Sequence, residues 1–199
     1  MIEINRESKE TNINLKLDIY GDGDYDIKTK IGFFDHMLEL WSKHGFFDIE
    51  LEADGDLEVD EHHTVEDVGI VLGQGIKRQL GDRSNIRRYG DIIIPMDETL
   101  VMVVIDLSGR SYYHDDLNFT RTSVGGFPVE LFKEFFRALT NNGEFTLHFK
   151  MINGGNTHHL MEACFKGFGR ALDRALKCEK RLKGKPLSTK GSLKEGGYH

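Results

Sequence analysis

Two histidine pairs, each followed by a glutamate at the same spacing, are the part of this chain best suited to chemistry. The first lies in Asp60-Glu61-His62-His63-Thr64-Val65-Glu66, the second in Asn156-Thr157-His158-His159-Leu160-Met161-Glu162. His62 and His158 stand 96 residues apart, close to half of the 199-residue chain. A half-chain repeat that keeps His-His-x-x-Glu points to a duplicated unit carrying a duplicated metal site. Solvated surface histidines are the plain alternative, and recurrence at matching places in a repeat weighs against it.

Both pairs open segments whose apolar residues recur at helical spacing: Val65, Val68, Leu72, Ile76, Leu80, and then Met161, Cys164, Phe165, Phe168, Leu172, Ala175. On a helix, neighbours diverge by about 100° while i and i+4 share a face. His62 with Glu66, and His158 with Glu162, can therefore grip one ion each. His63 and His159 point elsewhere and need a second ion or a partner surface, although His63 with Glu66 (i, i+3) remains an alternative pairing. Asp60 and Asn156 are expected caps. The positive helix end favours the neutral imidazole that a metal requires. Mixed imidazole and carboxylate donors suit Mn²⁺, Fe²⁺ or Zn²⁺, and the cluster has no cysteine for a structural zinc.

The elements that must hold these residues follow one order twice. Ile13 to Tyr20 reads as a strand, and Gly21-Asp22-Gly23-Asp24-Tyr25-Asp26 as a hairpin turn. It is not a calcium loop, since its sixth and twelfth positions would be Ile27 and Phe33. Gly32 to His44 has the spacing of a buried helix, Asp48 to Ala53 of a strand, and the first His-His helix ends near Leu80-Gly81. In the second half, Leu100 to Asp106 is a strand and Ser111 to Tyr113 begins another. Val129 to Leu139 is an amphipathic helix, Glu144 to Lys150 a strand, and the second His-His helix runs to about Leu182. In this register His36 falls opposite Glu134. A strand–strand–helix–strand–helix unit used twice predicts an α+β fold, two sheets packed through a shared helical layer. The repeats would be residues 1–90 and 91–183, with 184–199 as a C-terminal tail. That tail, including Lys185 to Gly191 and Gly196-Gly197, is either a disordered end or a flexible phosphate clasp.

Bulk composition narrows the partners. A net charge of −7, from 26 basic and 33 acidic residues, argues against nucleic acid, while Asn85-Ile86-Arg87-Arg88 could hold a small anion. The length allows one domain or two small ones. Met1 to Glu7 is too charged for a signal peptide, and the longest wholly apolar run, Leu100 to Ile105, is too short for a bilayer. Cys164 and Cys178, placed on one helix, would lie about 21 Å apart and could not pair. A reducing, cytoplasmic setting fits.

Taken together the motifs resemble the imidazoleglycerol-phosphate dehydratase family over nearly the whole chain. The resemblance rests on Arg6-Glu7-Ser8-Lys9-Glu10-Thr11, Phe34-Asp35-His36-Met37-Leu38 with His44-Gly45, and Asp60 to Asp67. It continues through Arg87-Arg88-Tyr89-Gly90, Pro95-Met96-Asp97-Glu98-Thr99-Leu100, Asp106-Leu107-Ser108-Gly109-Arg110, Asn156 to His159 with Glu162, and Ser188-Thr189-Lys190-Gly191. It implies an internally duplicated fold of the ribosomal protein S5 domain 2-like type. It also implies two Mn²⁺ per active site at subunit contacts, and an octahedral homo-oligomer of about 24 subunits. Some members carry histidine where this chain has Glu134, and a carboxylate can also ligate manganese.

The implied reaction is the dehydration of D-erythro-imidazole-glycerol phosphate to imidazole-acetol phosphate, in histidine biosynthesis. The carbon–hydrogen bond beside the leaving hydroxyl is not acidic. Two ions on the ring nitrogens would make an imidazolate able to expel that hydroxyl. One ion is assigned to His62, Glu66, His159 and Glu134, the other to His158, Glu162, His63 and His36, with ligands from one subunit or several. The resemblance makes Glu10 the acid–base candidate. Arg88 and Arg110 would grip phosphate bidentately, with Ser188 and Lys190 from the tail. His36, His44, His62 and Glu66 complete the expected substrate contacts. A metal-dependent hydrolase of a phosphorylated small molecule is the main alternative, and a non-catalytic, shell-forming metal-binding protein the second.

Overall fold

The computed structural model describes residues 1–191 and Leu193. The Gly196-Gly197 pair and the end of the expected tail lie outside the described residues. Two four-stranded sheets are built in the same order. The first uses β1 (Ile2–Glu7), β2 (Thr11–Asp18), β3 (Tyr25–Lys28) and β4 (Asp48–Gly55), in spatial order β1-β2-β4-β3. The second uses β5 (Tyr89–Met96), β6 (Thr99–Asp106), β7 (Tyr112–Asp115) and β10 (Thr146–Asn153), in order β5-β6-β10-β7. Between β7 and β10 come a small hairpin, β8 (Ser123–Val124) with β9 (Phe127–Pro128), and helix α3 (Glu130–Gly143). The remaining helices are α1 (Gly32–Gly45), α2 (His62–Leu80) and α4 (Thr157–Leu176). The identical sheet order records the duplication in the backbone itself.

Strand burial alternates as one covered face requires. Thr11, Ile13, Leu15 and Leu17 of β2 point inward, while Asn12, Asn14 and Lys16 point out. The helices of one half pack on those of the other, α2 against α3 and α1 against α4. α2 also covers β1 and β2, and α4 covers β5 and β6, which makes one helical layer shared by both sheets. Trp41, Phe132, Phe135, Phe136 and Phe168 fill it. Among the described residues no helix is long and apolar enough to cross a membrane.

Close approach of α2 and α3 depends on Gly69 and Gly73. A Cβ at Gly69 would stand 2.7 Å from the Phe135 carbonyl oxygen, and one at Gly73 2.5 Å from that of Leu139. Alanine usually favours a helix over glycine by about 1 kcal/mol. Here the neighbour is backbone that cannot swing aside, so Gly73→Ala should instead destabilise by about 1–3 kcal/mol. Thermal or denaturant unfolding of that variant reads the sign.

Several sequence expectations change. Each half is strand–strand–strand–helix–strand–helix, because β1 and β5 were not expected as strands. β1 buries fully only Ile4, and β5 is an edge strand with Pro95 facing outward, so neither carries a strong apolar alternation. β5 starts at Tyr89, so residues 89–90 belong with the second sheet. Gly21 to Asp26 is not a hairpin turn: β3 pairs parallel to β4 rather than antiparallel to β2, so the chain crosses over. The Asp48 carboxylate holds that crossing by accepting from the backbone amides of Asp22, Gly23 and Asp24, at 2.9–3.0 Å. Helix α4 ends at Leu176, not near Leu182. There the backbone turns extended at Lys177, Cys178 bridges to Ile86, and the amides of Arg87 and Arg88 are drawn to the Lys177 and Ala175 carbonyls. Cys178 is therefore off the helix and exposed, while Cys164 stays buried on it.

Candidate metal centre

The histidine pairs sit where the helix-face argument requires. Asn156 caps α4 by accepting from the His158 amide at 2.9 Å. Asp60 accepts from the His62 amide at 2.8 Å, one residue ahead of the α2 cap position, which is Glu61. Neighbouring imidazoles diverge nearly at right angles, with interplanar angles of 78° for His62/His63 and 81° for His158/His159.

The packing of α1 on α4 brings three expected ligands together. Nε2 of His36 and Nε2 of His158 each lie 3.1 Å from Oε1 of Glu162. Ligand atoms from all three residues fall within 4.8 Å of one another. Glu162 is buried, and its second oxygen accepts from Lys166 Nζ at 2.6 Å. Burial alone would push the Glu162 carboxyl up. The hydrogen bonds from Lys166, His36 and His158 outweigh it and hold the group at about 2. Two imidazole nitrogens around a pre-ionised carboxylate are a donor set that fits a divalent cation of the manganese, iron or zinc type. His44, in the last turn of α1, faces the same region. Burial lowers its pKa first, with Lys166 and Arg170 adding to the shift.

The second expected group is assembled less completely. His62 Nε2 and Glu66 Oε2 are 3.6 Å apart across one helical turn. Glu134 is engaged by Arg137 one turn along α3, at 3.0 and 3.1 Å. His63 and His159 join neither group within the chain. His63 Nδ1 lies 3.1 Å from both Asp56 oxygens and 4.0 Å from Glu10 Oε2. The Asp56 contact raises the His63 pKa. His159 Nδ1 lies 3.0 Å from Glu98 Oε2, and its Nε2 is 3.9 Å from Asp97.

Glu10 sits on the tight β1–β2 turn. Ser8 Oγ accepts from the Glu10 amide at 3.1 Å, and the Glu10 carbonyl accepts from the Asp56 amide at 3.1 Å. The turn is tied down by Asp67, which accepts from Thr11 Oγ1 at 2.5 Å and from Arg6 at 2.8 Å. The backbone of Glu10 is fixed while its carboxylate is largely exposed.

Arg88 differs from its expected state. Its Nε and Nη2 edge is taken by Asp106, at 2.6 and 3.0 Å, and Nη1 donates to the Leu187 carbonyl at 2.8 Å. The bidentate edge is thus occupied, and only the remaining N–H groups could meet a phosphate. The Leu187 contact lays the tail beside Arg88. Gly184 donates to Asn85, and Ser188 Oγ accepts from the Lys190 amide. Residues 184–191 therefore have a defined path next to Arg88. Arg110 is exposed, and among the described residues its guanidinium makes no hydrogen bond or ion pair.

The sequence reading passed over Lys166, Asp56 and Glu98. Lys166 extends the His158, Glu162 face by one more turn, so its i+4 spacing carried a local signal. Asp56 precedes its helix in a loop, and Glu98 meets His159 across 61 residues of chain, which no local period reveals.

A duplicated α+β chain with an imidazole–carboxylate cluster on its shared helical layer is of the metal-dependent enzyme class. The family model for imidazoleglycerol-phosphate dehydratase matches residues 29–172. The imidazoleglycerol-phosphate dehydratases of Acetivibrio thermocellus and of a Thermoanaerobacter species are each 53% identical over 191 residues. That span is 96% of this chain and 97% or 98% of theirs. The crystal structure of the Staphylococcus aureus dehydratase superposes with a TM-score of 0.79 at 41% identity, covering 89% of this chain and 99% of that one. The Pyrococcus furiosus dehydratase, solved with the compound (S)-C348, gives 0.81 at 37% identity, covering 95% and 99%. The chain belongs to the imidazoleglycerol-phosphate dehydratase family, and is a hydro-lyase.

Proposed function

We propose that this chain dehydrates D-erythro-imidazole-glycerol phosphate to imidazole-acetol phosphate, a step of histidine biosynthesis, with two Mn²⁺ per active site. The convergence of His36, His158 and Glu162 carries the reading, because it supplies a metal-binding donor set from both halves of the duplicated fold. His158, Glu162, His63 and His36 would hold one ion. His62, Glu66, His159 and Glu134 would hold the other, with Arg137 releasing Glu134. When bound, the cations would supply Lewis acidity toward the substrate's imidazole ring, which would favour loss of the neighbouring hydroxyl.

The protein's own groups do the remaining work. Glu10, fixed in backbone and free in side chain, takes the proton from the adjacent carbon. Arg110, with its uncommitted guanidinium, grips the phosphate. Arg88, held by Asp106, offers its remaining N–H groups, and Ser188 and Lys190 close from the tail. Arg110→Ala should raise KM by the loss of about 1.5–3 kcal/mol of charge-assisted contact. Arg88→Ala should cost at least as much, since it also frees the tail from its Leu187 anchor. Steady-state kinetics on the two variants measure both effects.

Ligands that diverge from their own chain's clusters imply that other copies complete each site. The outer face of the second sheet supports self-association. Tyr89, Ile93 and Tyr112 are each about half exposed there, beside Met102 and Val104. The first sheet presents Glu3, Asn14, Lys16, Glu50 and Glu52 on the matching face. An apolar sheet face of this kind is one that a second copy would cover. The expected shell is octahedral, of about 24 copies. Incubation of the manganese-loaded protein with the substrate tests the reaction. A ketone product with phosphate retained supports dehydration, and inorganic phosphate without ketone supports the hydrolase alternative.

A further inference from the structure

We propose that Asp56 and Glu98 are positioning residues that lock His63 and His159 with Nδ1 protonated, so that Nε2 is the atom each presents to a metal. The inference rests on the reading of these two histidines as ligands. A carboxylate can only accept at these distances, so an Nδ1 standing 3.0–3.1 Å from one must carry the proton. The other ring nitrogen is then left with its lone pair and a fixed direction. Carboxylates that hold a histidine in this way commonly change metal affinity by about 10–100-fold.

The two halves reach the same contact from different elements. In the second half the carboxylate comes from the β5–β6 turn, as Glu98. The topologically matching β1–β2 turn carries Glu10, yet His63 Nδ1 is held by Asp56 and stands 4.0 Å from Glu10. The loops before the helices explain the exchange. Asp56 stands between β4 and α2. Between β10 and α4 stand Gly154 and Gly155, and a Cβ on Gly155 would come within 2.6 Å of the Glu98 side chain. Glycine leaves Glu98 its place against His159. Asp56 takes over that duty in the first half, and Glu10 is released for proton transfer.

The test uses the full chain. Manganese binding to metal-depleted protein is measured by titration for wild type, Asp56→Ala, Glu98→Ala, Asp56→Asn and Glu98→Gln, with thermal unfolding of each metal-free sample. Both alanine variants should bind manganese about 10–100-fold more weakly. Asp56→Ala should do so at unchanged unfolding temperature and Glu98→Ala at a lowered one, since the Glu98 carboxylate also accepts from the Asn156 amide at 2.7 Å. The amides keep an acceptor oxygen and should restore most of the affinity. In metal-free wild type, ¹⁵N spectra assigned against His63→Gln and His159→Gln should show the Nδ1–H form at both positions. Wild-type affinity in both alanine variants, or the Nε2–H form in wild type, overturns the proposal. A wild type that binds fewer than two ions sinks the two-ion reading instead, and the ¹⁵N spectra still decide the orientation.

Discussion

Glu10→Gln should lower turnover by about two to four orders of magnitude while substrate and metal binding stay near wild type. Glutamine keeps the size of the side chain and some hydrogen bonding but removes its basicity. The turn that carries residue 10 should survive, because its hydrogen bonds use the residue's own amide and carbonyl together with Ser8, Thr11 and Asp67. Loss of rate therefore reports chemistry rather than misfolding. The contact between His63 and Asp56 does not involve residue 10, so manganese binding should also persist. Steady-state kinetics beside equilibrium substrate binding separate the two effects. Near-normal turnover in Glu10→Gln would remove Glu10 from the acid–base role.

Removing the metal should have an equally large effect, on assembly as well as activity. His63 and His159 face away from the clusters of their own chain, so the proposed sites draw ligands from more than one copy. Anything that binds the assembled form and not the separate chains stabilises assembly by mass action. Chelation should therefore convert the large particle into smaller species and abolish turnover together, and added Mn²⁺ should restore both. The folded chain should survive, since its core is a continuous apolar layer that does not use the metal ligands. Light scattering with circular dichroism follows size and fold in parallel. Unchanged particle size after verified metal removal would contradict shared ligation.

The legibility of this fold in its sequence follows from local physics. α2 and α4 begin where their histidine pairs and nearby Asp60 and Asn156 place them, because capping and apolar period act within one or two turns. β6 was visible because Thr99 to Asp106 buries every second residue against the helices. β1 and β5 were not, since each pairs on only one side, and β1 buries fully just one residue. The overlong α4 came from apolar and basic residues that continue past Leu176, where pairing with Ile86 wins over further helix. At the site, the His158–Glu162 pair was legible from i, i+4 geometry, while the half-chain register set His36 opposite Glu134 and its grouping with His158 came only with the family resemblance. The Asp106 grip on Arg88 and the carboxylates behind His63 and His159 depend on segments 7 to 61 residues distant. Only the folded chain shows them.

The most direct measurement is a manganese titration of the metal-free full chain, with ketone formation and bound metal read on the same samples. The account predicts that ketone formation tracks metal occupancy and saturates at about two ions per chain. Saturation at one ion, or full ketone formation without any divalent metal, would contradict it.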